Sequence, residues 1–156
     1  MTLAEIQALR RDEPREFDAL VAEKVFSYKK VNGETCEAYR KSKGVIHDAD
    51  WHLDNLDGIM VGWWLNTGAF IAGVRNDLPQ FSTDPAADLE AHRAACAWER
   101  GDDKARDSYL NILDRLWGDR AIDRGFDEDL GLALVAHYEV GDYAEAALAV
   151  KEVEDG

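Results

Sequence analysis

The chain lacks most of the marks by which a sequence declares a specialised protein. It has two cysteines in 156 residues, Cys36 and Cys96, far apart and in unlike contexts. Such a pair reads as two reduced thiols rather than a disulfide framework. No stretch approaches the roughly 18 consecutive apolar residues of a membrane span. The opening MTLAEIQALRRDEP has no basic segment followed by an apolar one, so no secretory signal is read there. Together these absences predict a cytoplasmic protein with no membrane partner. The motifs G-x-x-x-x-G-K-[ST], G-x-G-x-x-G, G-x-S-x-G and C-x-x-C are all missing, which removes the commonest phosphate-binding, hydrolase and redox signatures.

Basic residues are scarce as well. Lys and Arg number 18 against 32 Asp and Glu, a formal net charge of −14. The deficit is uneven: residues 1–80 hold 13 acids and 10 bases, residues 81–156 hold 19 acids and 8 bases. A field of that sign repels nucleic acid and anionic membrane, and favours encounters with basic surfaces. A solvated surface that serves only solubility is the plainer alternative.

What is present is core material. The chain is 46% hydrophobic, with five each of Trp, Tyr and Phe, enough for one domain with a packed interior and too apolar for a disordered chain. Thr2 and Glu5 have the spacing of a capping box ahead of Leu3, Ile6 and Leu9. Pro14 breaks that helix, and Phe17, Leu20, Val21 and Val25 predict a second amphipathic helix over 15–26. Asn32-Gly33 is a candidate two-residue hairpin turn. Residues 44–58 read as a long loop or short helix. IMVGWWLNTGAFIAGV carries glycines too often for a helix and predicts strands near 59–65 and 69–74.

After residue 78 the texture is helical. Asp84 and Pro85 mark the start of a helix that should run to about Arg100 and stop at Gly101. Three more follow: about Asp103 to Trp117 with Gly118 as its end, roughly 127–139 with Leu130 and Leu134 inward, and a last one capped by Asp142. The expected fold is therefore α+β: a single domain with a small antiparallel sheet packed between helices over residues 1–78 and a helical region over 79–156. Gly101-Asp102 and Gly141-Asp142 each stand between two helical runs. This echo resembles a tetratricopeptide-type hairpin, and equally two ordinary antiparallel helix pairs.

Two segments resemble the phage ABA-sandwich domain family. FDALVAEKVFSYKK at 17–30 is similar to its opening LVAEKV-like helix leading into a strand, and PQFSTDPAADLEA at 79–91 to its P-x-[YF]-S-T-D-x-A-A-A helix start. The resemblance implies a sheet held between helices, a small phage or prophage accessory protein in a bacterial cytoplasm, and no established catalytic residues. Members usually return to Trp-bearing strands after the second segment, whereas this chain continues as helices.

Three sets of residues are candidates for function. The first is acidic: Asp84 and Asp88 at i, i+4, and Asp103, Asp107 and Asp114 as a stripe, with Asp119 and Asp123 extending the acid onward. Carboxylates so spaced can imitate a nucleic-acid backbone and occupy a basic groove on a host protein, for example a CRISPR effector. The second is Trp51, Trp63 and Trp64 with Lys29, Lys30 and Arg75, which would suit stacking on a nucleotide; covered core tryptophans, or a homodimer face, are the alternatives. The third is His47, Asp48, Asp50 and His52, donors that could hold a divalent metal and make the chain a metal-dependent enzyme; they match no known spacing, and a solvated loop is the plainer reading. Cys36 and Cys96 have no activating base beside them and read as packed thiols. The leading expectation is a non-enzymatic, cofactor-free inhibitor that binds a basic partner and not nucleic acid directly.

Overall fold

The computed structural model describes residues 1–32, 49–65, 67–73, 77–98, 103–125 and 136–155. Thr2 opens the first helix, α1 (Leu3–Asp12), with both halves of the capping box: Glu5 N donates to Thr2 Oγ1 and Thr2 N donates to Glu5 Oε2 at 2.6 Å. Glu13 breaks the path, and Pro14 sits in the first turn of α2 (Pro14–Lys24), where its missing N–H costs nothing. The chain leaves α2 through Ser27, whose φ of 60° is left-handed.

Four strands follow: β1 (Lys29–Asn32), β2 (Ala49–Asp54), β3 (Met60–Leu65) and β4 (Phe70–Ala72). They form an antiparallel sheet in the order β1-β2-β3-β4. The α+β class read from the sequence is the class observed. Two details differ. The partner of β1 is β2, with Asn32 opposite Trp51, so a tight hairpin at Asn32-Gly33 does not supply it. Residues 49–54, expected in a loop or short helix, are a strand. Their polar residues alternate with Trp51 and Leu53, and His52 and Asp54 satisfy one another, Nε2 to Oδ1 at 3.0 Å. Pairing on both sides outweighs the weak strand propensity of aspartate.

Opposed residues share a sheet face. Trp51, Leu53, Gly62, Trp64 and Phe70 therefore line one face, and His52, Trp63 and Ile71 the other. Gly62 has no substitute: a Cβ there would stand 2.2 Å from the Phe70 ring, which packs edge-on against Trp64.

The second half is built from α3 (Pro85–Ala97), α4 (Asp103–Asp123) and α5 (Asp142–Asp155). Asp84 caps α3, accepting from Ala86 N at 3.0 Å. Gly118 does not end α4. The helix runs on because Leu116, Trp117 and Ala121 are buried on its inner face, which offsets the roughly 1 kcal/mol a helical glycine costs. Gly125, at φ 81°, follows its end. Most of the helix expected at 127–139, including Leu130 and Leu134, lies outside the described residues, as do Gly101 and Asp102. Residues 138 and 139 are described and are not helical.

Two apolar clusters make the interior. One joins Ile6, Phe17 and Val21 to Leu53, Val61 and Trp64 of the sheet; the other joins Ala95, Tyr109, Leu113 and Trp117. α5 supplies both, with Ala144, Leu148 and Ala149 in the first and Ala146, Ala147 and Val150 in the second. Among the described residues it packs against each of the other four helices, and its alanines permit the close approach.

The two glycines of the second half should respond oppositely to a methyl group. At Gly118 a Cβ meets nothing, so Gly118→Ala is expected to stabilise by about 0.5–1 kcal/mol. At Gly141, with φ +99° and a Cβ only 2.6 Å from Arg10 Nε, Ala is expected to destabilise by more than about 1 kcal/mol. Urea unfolding of the two variants checks both signs.

Candidate functional site

The structure concentrates its polar interactions at the N-terminus of α5. Asp142 is fully buried and collects five donors: Arg120 through two nitrogens at 2.7 and 3.1 Å, Arg10 at 3.0 Å, Trp117 Nε1 at 3.0 Å and Glu139 N at 2.8 Å. Arg10 also binds Glu145 Oε2 at 2.6 Å and the Val140 carbonyl. Burial drives the Asp142 carboxyl up, but Arg120, the Glu139 amide and Arg10 together bring it below the ordinary value. Glu145 goes the other way, raised by burial that Arg10 only partly offsets. A hydrogen bond from the Gln7 side chain adds to that offset.

Asp142 is not the cap of its own helix. That role falls to Asp88 on α3, whose Oδ1 accepts from Ala144 N at 2.8 Å while Oδ2 accepts from the Tyr138 hydroxyl at 2.7 Å. Burial raises Asp88 above the ordinary range, against the pull of Tyr138 and the α5 amides. A buried carboxylate from a neighbouring helix thus meets the free N–H groups and positive dipole end of α5.

This placement divides the acidic set. Asp88 belongs to the interior and presents no charge to a partner, while Asp84 is exposed and serves as a cap. Asp107, Asp114, Asp119 and Asp123 are exposed on α4, and the Asp103 side chain lies outside the described residues. Asp107 stands 3.6 Å from Arg106. Because α4 is continuous past Gly118, its step of about 100° per residue sets Asp119 and Asp123 some 120–180° round from Asp107 and Asp114. Asp107 and Asp114 thus share one side, in keeping with the expected stripe, while Asp119 and Asp123, expected in a link beyond the helix, lie on another side of the same helix.

Of the aromatic set, the structure joins three members. Lys30 Nζ lies 4.3 Å from the centre of the Trp64 ring and 5.6 Å from that of Trp51. Trp64 is buried and Trp51 is 42% exposed. Trp63 is buried on the opposite face beside His52, Lys29 pairs opposite Asp54, and Arg75 lies outside the described residues. So do His47, Asp48 and the Asp50 side chain; of the metal set only His52 is seen, buried and bonded to Asp54. No cluster of three metal donors occurs among the described residues.

One base was overlooked in the sequence. His92 is four residues before Cys96, one helical turn, and its ring reaches the sulfur. The distances decide its role: Sγ is 3.6 Å from Nε2 and 4.0 Å from Nδ1. A sulfur so nearly equidistant from both nitrogens lies off the N–H and lone-pair axes of each. His92 Nδ1 is engaged by the Tyr109 hydroxyl at 2.8 Å, and burial lowers the basicity of the ring. The contact is sulfur–aromatic packing, not a nucleophile and its base. The ion-pair network was invisible for another reason: Arg10 and Asp142 are 132 residues apart, and no local spacing announces the pair.

Comparison with protein-family models, curated proteins and solved structures returns no match to this chain.

Removing the Asp142 carboxylate deprives Arg10 and Arg120 of the acceptor they share and leaves the Trp117 and Glu139 N–H groups unpaired. Asp142→Ala is expected to cost about 3–5 kcal/mol in chemical denaturation. The buried acids also set a pH profile. Asp18, Asp88 and Glu145 are all raised by burial, so the folded state binds extra protons above the ordinary carboxylate range. Their contribution favours folding at low pH and is lost as pH rises through the raised values. Asp142 is lowered, so its contribution is present above the ordinary range and lost as pH falls through the folded value. Melting temperature measured from about pH 4 to about pH 8 should therefore peak on the acid side of neutrality. A curve still rising at the upper end contradicts this.

Proposed function

We propose that the protein is a binding protein that docks on a positively charged surface of another protein and blocks it. One observation carries this reading: among the described residues the buried acids stand beside nearly as many partly buried arginines, and the acids of α4 face solvent. Arg10, Arg15 and Arg120 are each committed to buried carboxylates, namely Asp18, Asp142 and Glu145. Asp107, Asp114, Asp119 and Asp123 remain exposed on α4. A surface of that sign steers basic partners and speeds their encounter.

The partner class favoured is a basic nucleic-acid-binding protein of a bacterial host, such as a CRISPR effector. The phage setting rests on the resemblance of residues 17–30 and 79–91 and on nothing else. Asp107 and Asp114 are seven residues apart, about 10 Å along α4, and offer a basic groove two carboxylates on one side of a rigid helix.

The test is affinity capture from bacterial lysate at low and high salt with identification of what is retained. A basic protein held at low salt, released at high salt and weakened about tenfold by Asp107→Asn with Asp114→Asn supports the proposal. Retention indifferent to both salt and the double substitution refutes it.

A second reading has its own observation. Lys30 beside the half-open Trp51 ring offers a cation and an aromatic face to a nucleotide signal. Tryptophan fluorescence across a panel of linear and cyclic nucleotides decides it: a saturable change that Trp51→Ala removes supports the reading, and a flat response ends it.

A further inference from the structure

Asp107 and Asp114 stand beside a hollow in the surface. An open cavity of about 470 Å³ lies between α4 and α5, with Ala105 and Ile112 of the one and Val150 and Val153 of the other in its lining. The two helices run antiparallel: Trp117 meets Asp142 at one end, and Ala105 and Val150 share the hollow toward the other. Ala105 and Val150 also belong to the second apolar cluster, so the floor of the hollow is the outer surface of the core. Val153 stands at its edge 76% exposed, an apolar side chain left in water.

The α4 wall is completed by Lys104, Ser108 and Asn111. These fall at i, i+4 and i+7, one stripe about 10 Å long, so the hollow is a trough that follows the helix. Asn111 has Asp107 four residues before it and Asp114 three after, which makes both carboxylates its surface neighbours and the outer rim of the trough. Asp114 has no partner among the described residues, whereas Lys104 is already engaged within the chain.

Floor and rim together restrict the occupant. A fatty acid or other anionic amphiphile would bring its head group against Asp107 and Asp114. A purely apolar molecule would gain nothing from the rim. A trough between two antiparallel helices is shaped for the side-chain ridge of a third. A helix with apolar side chains turned inward and Lys or Arg along one flank answers the floor and the rim at once.

We propose that this trough receives an amphipathic, basic helix of the partner protein. The inference rests on the docking proposed above and adds the form of the docking element: the partner's basic surface is a helix with apolar side chains between its cations.

Fluorescence anisotropy with three labelled synthetic peptides of about 18 residues, long enough to become helical, tests it. The first carries leucines at i, i+3, i+4 and i+7 with lysines elsewhere. The second has the same composition scrambled so that no apolar face forms, and the third has glutamate in place of lysine. The first should bind saturably, the second at least about ten times more weakly, and the third not at all. Val153→Glu separates the trough from charge alone. It adds a negative charge, so charge attraction by itself would tighten the basic peptide, whereas loss of the apolar contact should weaken it about tenfold. Its melting temperature should match that of the parent chain, since Val153 is exposed. The proposal is overturned if the scrambled peptide binds as tightly, if Val153→Glu does not weaken binding, or if no peptide saturates. The first two outcomes leave docking through charge standing, because they remove the trough and not the acidic face.

Discussion

A single carboxylate, Asp142, fixes how the helices meet. It is fully buried, yet every one of its contacts comes from elsewhere: α1 sends Arg10, α4 sends Trp117 and Arg120, and the turn before α5 sends the Glu139 amide. Removing one ion from water is expensive, and only a dense set of donors offsets it. That demand forces α1, α4 and α5 into one arrangement, since a shift of any one leaves a charge unmatched. Asp88 imposes a similar demand from α3 by capping α5 through Ala144 N. All the helices except α2 are thereby tied to the first turn of α5, and α2 is held by apolar packing alongside.

Much of the fold was legible in the sequence, and for identifiable reasons. The capping box at Thr2 and Glu5, the break at Pro14, the cap at Asp84 and the two strands around Gly68 are all local signals, and local signals survive folding. The failures share a different character. β2 was hidden because His52 and Asp54 look like loop residues until their mutual contact is known. The length of α4 was hidden because Gly118 is a stop signal that buried neighbours overrule. Asp88 and Asp142 were taken for an exposed acid and a local cap, and both prove to be interior groups recruited over long separations. Composition could report how much acid there was. It could not report which acids would be buried.

The sorting of charge has a further bearing on function. The same residues that look uniform in the sequence divide into structural carboxylates and free ones, and only the free ones are available to a partner. The ion-paired interior holds the acidic face of α4 on a rigid support, which the proposed docking calls for.

α5 follows, in the order of the chain, every element it holds together. Neither apolar cluster is complete without it, and nor is the polar network. During synthesis the earlier segments must therefore wait, with Phe17 and Tyr109 still lacking part of the surface that will cover them. Parts of both apolar clusters and of the polar network arrive with one late helix, so folding should be all-or-none and slow relative to a bundle closed by neighbouring helices. The waiting chain exposes aromatic surface and unpaired strand edges. For it, a high net negative charge has a second use: partly made chains repel one another before they have a fold to protect them.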